Sequence, residues 1–297
     1  MRVSFIIPAY NEENYIAHCL DAIAREIERA TKANGNATTG ASNDYEIIVV
    51  DNNSSDGTDS IVARYPNVTL LHEPRRGANR ARETGFEASH GDLVAFLDAD
   101  TEILPGWLAR VEQEFATEKD LVCLSGPFIY YDLPRVTQFL VKLFYGLSYV
   151  VYVVNDFILR KTSVIQGGTE VVRRDALAKI GGHNVALTFY GDDADLARRL
   201  SKVGKVRFSF DFAVRSSGRR LAKEGTFTMG LRYGLNYFWI TLFNRPFTMK
   251  SIEVRFPDGK SGVCEPENKV KEFAIAAGAA TCLVLLAAAI AYFVKTW

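Results

Sequence analysis

Asp98-Ala99-Asp100 is the tripeptide in this chain with the clearest capacity for chemistry. It follows the apolar run Leu93–Leu97, and a short buried strand that breaks off in two carboxylates presents them at the carboxyl edge of a sheet, where ligands bind in open α/β folds. Two acids one residue apart at such an edge can share one divalent cation, manganese or magnesium, and hold a diphosphate through it. A solvated aspartate-rich turn is the alternative for a lone Asp-x-Asp. A second acidic group, Asp192-Asp193-Ala194-Asp195, opens a helical run. A carboxylate there can stabilise the helix dipole, which fits Asp195, or take a proton from an attacking oxygen if its pocket is partly dry.

These groups need a scaffold, and the first hundred residues supply one as repeated strand–helix units. Val3–Ile7, Tyr45–Val50, Val68–Leu71 and Leu93–Leu97 read as strands, and Gly77–Ala88 reads as a helix. Ile16, Leu20, Ile23 and Ile27 recur at helical spacing after Asn11, which is placed to cap that helix. Lys32 to Asp44 reads as a loop or insertion. Alternating strands and helices imply a mostly parallel sheet with helices on both faces, and three of the strands lead into polar clusters around Asn11, Asp51 and Asp98. Parallel strands bring those clusters to one edge, where a crevice is expected.

Composition narrows the partners. The 297 residues carry 35 basic and 35 acidic side chains, so no strong net field favours nucleic acid. The four cysteines, Cys19, Cys123, Cys264 and Cys282, form no C-x-x-C pair and fit a reducing compartment. Phe273–Val294 contains no charge over 22 residues. As a helix it would be roughly 33 Å long, enough to span a bilayer core. The amino terminus lacks the basic head and apolar core of a secretory signal, so a single-pass protein with its catalytic domain on the cytoplasmic face is expected. Val136–Leu159 and Phe227–Phe243 interleave aromatic and apolar residues with polar ones, as interfacial amphipathic elements do.

Phe5-Ile6-Ile7-Pro8-Ala9-Tyr10-Asn11-Glu12-Glu13, then Val49-Val50-Asp51 with Asn52 to Thr58, then Phe96-Leu97-Asp98-Ala99-Asp100, resemble the ordered signature of family-2 glycosyltransferases. Tyr190-Gly191-Asp192-Asp193 with Asp195-Leu196 and Arg198-Arg199 resembles the family's acidic pair, and Val172 to Leu177 with Ile180-Gly181-Gly182 matches its usual approach. The resemblance covers about residues 2 to 215. It implies the GT-A nucleotide-diphospho-sugar transferase fold, a mostly parallel mixed α/β sheet with flanking helices, and inversion at the anomeric carbon. It also implies a nucleotide-diphospho-sugar donor.

Carried over residue by residue, the resemblance places nucleotide contacts at Pro8, Tyr10, Glu12, Asp51, Arg82, Asp98 and Ala99. Downstream of it, Arg219 and Arg220 follow Ser216-Ser217-Gly218, where arginines can neutralise a departing diphosphate or sit in a solvated loop. It implies cation ligation by Asp98 and Asp100, sugar or acceptor contacts at Gly167, Gly168 and Asp192, and Asp193 as general base. Glu83 stands where the family has asparagine, and His183 where an aromatic residue is common. Arg75 and Arg76 lie in a turn that suits either phosphate contact or solvent. No tryptophan follows an arginine, so the Gln-x-x-Arg-Trp box of processive polymer synthases is missing. The expected organisation is a catalytic domain over 1–225, an interfacial segment over 226–270 and a transmembrane helix with a short tail over 271–297. The acceptor implied is a lipid-borne hydroxyl, the alternatives being polyprenyl phosphate or an inactive sugar-nucleotide-binding scaffold.

Overall fold

The computed structural model describes residues 1–33, 44–159, 164–187, 191–243 and 247. The expected transmembrane helix, most of the 226–270 segment and Tyr190 lie outside them. Among the described residues no helix is long and apolar enough to cross a membrane.

The strands expected in the first hundred residues are all present: β1 (Val3–Ala9), β2 (Tyr45–Asp51), β3 (Val68–His72) and β4 (Leu93–Leu97). β1 and β4 are buried almost throughout, as parallel strands covered on both faces must be. Further along come β5 (Leu121–Ser125), β6 (Phe128–Tyr130), β7 (Thr169–Arg173), β8 (Lys205–Phe208) and β9 (Val214–Ser216). Seven strands form one sheet in the order β3-β2-β1-β4-β7-β5-β8, and β6 pairs with β9 in a small second sheet. Within the large sheet β7 runs antiparallel to both neighbours while the other pairings are parallel. Pro8 has no N–H to donate, and it lies past Ile6–Phe96, the last position at which β1 pairs with β4.

Side-chain alternation along the strands divides the core. Phe5 and Ile7 point to the layer formed by α1 (Ile16–Ala33) and α4 (Trp107–Thr117), where Trp107 lies between Phe5 and Phe212 at ring distances of 5.9 and 4.9 Å. Ile6, Val94 and Phe96 point to the opposite layer, built on α3 (Ala78–Ala88), α6 (Arg174–Lys179) and α7 (Asp192–Leu200). The short α2 (Thr58–Val62) follows β2.

The segment expected to be interfacial over Val136–Leu159 is a single helix, α5 (Arg135–Leu159), and Phe227–Phe243 falls in α9 (Thr226–Phe243), reached through α8 (Arg219–Glu224). On α5 the large residues Val136, Phe139 and Leu143 are exposed at helical spacing, and on α9 Leu231 and Leu235 are exposed. A core helix would hide such residues.

Phe5 is fully buried and anchors the aromatic stack under the central strand. Phe5→Ala should cost about 3–5 kcal/mol of stability, read as a lower denaturant midpoint.

Candidate active site

Parallel pairing sets Ala9 beside Asp51, so the loops after β1 and β2 leave the sheet together. Asn11 takes a left-handed backbone (φ 51°). Its N–H donates to Ser54 Oγ (3.0 Å) and its Oδ1 accepts the Ser55 N–H (2.8 Å). The expected helix cap is therefore a staple between two loops, because α1 starts only at Ile16, whose N–H donates to the Glu12 carbonyl. Asp56, by contrast, organises its own turn by accepting the Thr58 N–H (3.0 Å).

Asp51 is buried at this edge. Its Oδ2 accepts the Ser54 N–H (3.2 Å) and lies 3.5 Å from His72 Nδ1, while its Oδ1 has no partner among the described residues, an acceptor suited to a nucleoside N–H or O–H. The Arg76 guanidinium sits 3.1 Å from the centre of the Tyr10 ring, covering one face of it. Arg75 pairs with Glu73 at 2.9 Å. Asn52, which the motif reading passed over, ties this turn down: its Nδ2 donates to the Glu73 and Arg75 carbonyls and its Oδ1 accepts the Gly77 N–H. Its only trace in the sequence is a place in a polar run after a strand.

The Asp-x-Asp carboxylates meet different arginines. Asp98, 39% exposed, accepts Arg82 Nη2 (3.1 Å), whereas Asp100 lies 3.1 Å from Arg219 Nη2 and accepts Ser216 Oγ–H (3.3 Å). Ala99 between them is 3% exposed and packs in the core, leaving its backbone to the edge. Arg219 also donates to both oxygens of Glu12 (2.6 and 2.7 Å) and lies over Tyr15, so Glu12 reaches the edge through that arginine. Arg220 pairs instead with Glu224 at 3.5 Å. Arg82 is itself buried, with Nη1 on Asn79 Oδ1 (3.1 Å) and Asp192 (3.4 Å). Its nucleotide role, expected from the motif, is thus joined to a clamp across two acidic groups.

Reversal of β7 brings its start to the same edge. The Asp98 N–H donates to the Gly168 carbonyl (3.3 Å). Gly168 has φ 79°, and a Cβ there would fall 2.2 Å from Asp98 Oδ2. At Gly167 a Cβ would fall 2.3 Å from Asp193 Oδ1. Only glycines fit between the two carboxylates.

α7 follows Gly191 in a left-handed conformation and carries three acids in its first turn. Asp195 pairs with Arg198 (2.9 Å) and Arg199 (2.7 Å), and Arg199 continues to the Ile180 and Gly182 carbonyls, so Asp195 builds the loop. Glu83 accepts the His183 N–H (2.7 Å), and the His183 ring stands edge-on to Phe96 at 4.6 Å. The departures at these two positions fit each other.

Burial, together with Asp192 and Glu170, holds the Asp193 carboxyl well above the usual carboxylate range, while Arg82 and the Gly167 N–H draw it down. Burial likewise raises Asp192. Glu170, on β7 and only 2% exposed, is pushed up to about 7 by burial, against the pull of Arg82. Nothing in Thr-Glu-Val-Val-Arg distinguishes it in the sequence. Asp98, Glu170, Asp192 and Asp193 thus all face Arg82, an excess of carboxyl groups over the one guanidinium. Hard oxygen donors at Asp98 and Asp100 beside that excess fit a divalent cation. Among the described residues no cluster of three or more metal-binding side chains forms, so phosphate oxygens and water would have to complete the shell.

The glycosyl transferase family 2 signature matches residues 4–181, and that of glycosyl transferase family group 2 matches residues 93–293. The chain belongs to glycosyl transferase family 2. It is 38% identical over 134 residues to glycosyltransferase AglE of Haloferax volcanii, covering 43% of this chain and 40% of that one. It is 36% identical over 102 residues to the dolichyl-phosphate beta-glucosyltransferase ALG5C of Trichomonas vaginalis, covering 33% and 28%. The aligned stretch therefore spans well under half the length of these relatives. The mannosyltransferase PcManGT of Pyrobaculum calidifontis, solved with GDP-Man and Mn2+, superposes with a TM-score of 0.60 at 21% identity, covering 98% of this chain and 80% of that one. That likeness establishes the GT-A fold.

Glu170 makes a prediction for stability. Its folded pKa lies above the unfolded value of 4.5, so the folded protein holds a proton that the unfolded chain releases, and stability falls as pH rises from about 4.5 to about 7. The loss is about 3 kcal/mol. Glu170→Gln should flatten this slope and raise stability at pH 8, measured by urea midpoints at pH 5 and pH 8.

Proposed function

We propose that this protein transfers a sugar, with inversion, from a nucleotide-diphosphate donor to a hydroxyl on a lipid-borne acceptor, and that Asp193 is the general base. The observation that carries this reading is the placement of Asp193 and Asp98 on either side of the Gly167–Gly168 backbone, within one acidic cluster clamped by Arg82. Tyr10 and the unpartnered Asp51 oxygen receive the nucleoside, and Arg219 faces the departing diphosphate beside Asp100. Burial makes the Asp193 carboxylate a stronger base once ionised, and Arg82 favours its ionised form. Inversion follows the family resemblance: with Asp193 as base, the acceptor oxygen attacks opposite the leaving group.

A divalent cation on Asp98 and Asp100, manganese or magnesium, would supply charge neutralisation for the diphosphate. The acidic excess around Arg82 supports it, as does the Mn2+ found with the structurally similar mannosyltransferase PcManGT.

Membrane attachment belongs to the same proposal. Phe273–Val294 would span the bilayer, and the exposed apolar residues of α5 and α9 would rest at its surface, with the catalytic domain on the cytoplasmic face. The second reading, transfer to polyprenyl phosphate, is favoured by the similarity to dolichyl-phosphate beta-glucosyltransferases. Such an acceptor is already anionic and needs no base.

Asp193 separates the two. For a hydroxyl acceptor, Asp193→Asn should slow single-turnover transfer by about 10²–10⁴-fold with nucleotide affinity intact. Near-normal turnover would favour the phosphate acceptor. For the cation, thermal shift by a nucleoside diphosphate should grow on adding Mn2+ or Mg2+, and Asp100→Ala should remove that increment. An unchanged increment would take Asp100 out of the cation site.

A further inference from the structure

The residues that hold Asp193 in place extend well beyond the acidic cluster. Gln166 comes immediately before the two glycines. Its N–H donates to Ser125 Oγ at the end of β5 (2.9 Å), and the Ser125 hydroxyl donates to the Gln166 carbonyl (3.2 Å). Its side-chain Oε1 accepts the phenolic O–H of Tyr145, on α5, at 3.1 Å. The same Tyr145 oxygen accepts the Phe128 N–H (3.2 Å), and the Tyr145 ring stacks on Phe208. Tyr145 is therefore fixed as donor, as acceptor and as a packed ring.

One residue beyond Gln166, the Gly167 N–H donates to the Asp193 carboxylate. One residue further, the Gly168 carbonyl accepts the Asp98 N–H (3.3 Å). Two consecutive glycines are the most permissive backbone a chain can have, and no side chain of their own holds them. Their position is set by what grips them from either side. On the amino-terminal side that grip is Gln166, through Ser125 and Tyr145.

We propose that Tyr145, acting through Gln166, is a positioning residue that sets the Asp193 carboxylate against the reacting atoms. This rests on the reading of Asp193 as base. The phenol makes no contact with the acidic pair through a hydrogen bond of its own; its effect passes along Gln166 and the Gly167 N–H. It also ties the base to α5, the helix whose outer face carries Val136, Phe139 and Leu143.

The test is a double-mutant cycle in the full-length protein, with Tyr145→Phe, Gln166→Met and the two together. Both changes keep shape and remove the bond they share; Tyr145→Phe also removes the acceptor of the Phe128 N–H. Each single variant should lower kcat about tenfold or more with donor KM unchanged, since small misplacements of a reacting group act on turnover. The double variant should fall no further than Tyr145→Phe alone, because Gln166→Met acts only on a bond that Tyr145→Phe already removes. A kcat within about twofold of the parent in both singles, a multiplicative loss of about a hundredfold in the double, or a change confined to KM would overturn the proposal. Should Tyr145→Phe fail to fold, Gln166→Met, at a partly exposed position, decides the question by the same kcat criterion. Asp193→Asn is measured alongside. If it slows transfer while the single variants do not, positioning by Tyr145 is wrong and the base stands. If it leaves transfer unchanged, both readings fall.

Discussion

One buried guanidinium holds the catalytic edge together. Arg82 reaches from α3 to Asp98 at the end of β4 and to Asp192 at the start of α7, two carboxylates that would repel each other without it. Taking an arginine out of water is costly, and pairing with one carboxylate repays that only in part. Four acids around it reverse the balance, so that Arg82 stays charged while the acids compete for what it can neutralise. The raised proton affinity of Asp193 and Glu170 follows first from burial, to which neighbouring acids add and which Arg82 opposes.

The second constraint is the direction of β7. A sheet that was parallel throughout would present only strand ends at the ligand edge. With β7 reversed between β4 and β5, the beginning of a strand arrives there too, and the Gly167–Gly168 backbone is inserted between Asp98 and Asp193. The carboxylates are separated by main chain that carries no side chain, so both can approach the same small volume. The same reversal puts Gln166 within reach of β5 and α5.

Much of this was legible in the sequence, for reasons that differ by element. β1, β2 and β4 are covered on both faces or nearly so, and such strands read as unbroken apolar runs with polar exits, while the edge strand β3 is only partly covered. The acidic motifs stood out because they sit at those exits or open a helix. Asn11 was misread because a cap and a left-handed staple begin with the same residue type, and only the neighbouring loop decides between them. Apolar runs have no arrow, so β7's direction was not readable from its own residues; the mixed sheet came from the family resemblance. Glu170 is one acid in a short strand, and its altered chemistry comes from neighbours distant in the chain. The ties of Arg82 and Arg219 were invisible for the same reason, since each joins segments that meet only after folding.

The order in which these parts occur along the chain has a consequence for synthesis. β1 to β4 with α1 and α3 form a contiguous amino-terminal block, and they hold Tyr10, Asp51, Arg82, Asp98 and Asp100. The partners that balance or complete this set, Asp192, Asp193 and Arg219, emerge from the ribosome some ninety or more residues later. Chains fold from the amino terminus as they are made, and long-range contacts wait for their partners. A nascent chain would thus own the Asp51 and Asp98 part of its edge before the acids of α7 reach it. On the proposed mechanism, reactive competence arrives last, when α7 and α8 complete the site.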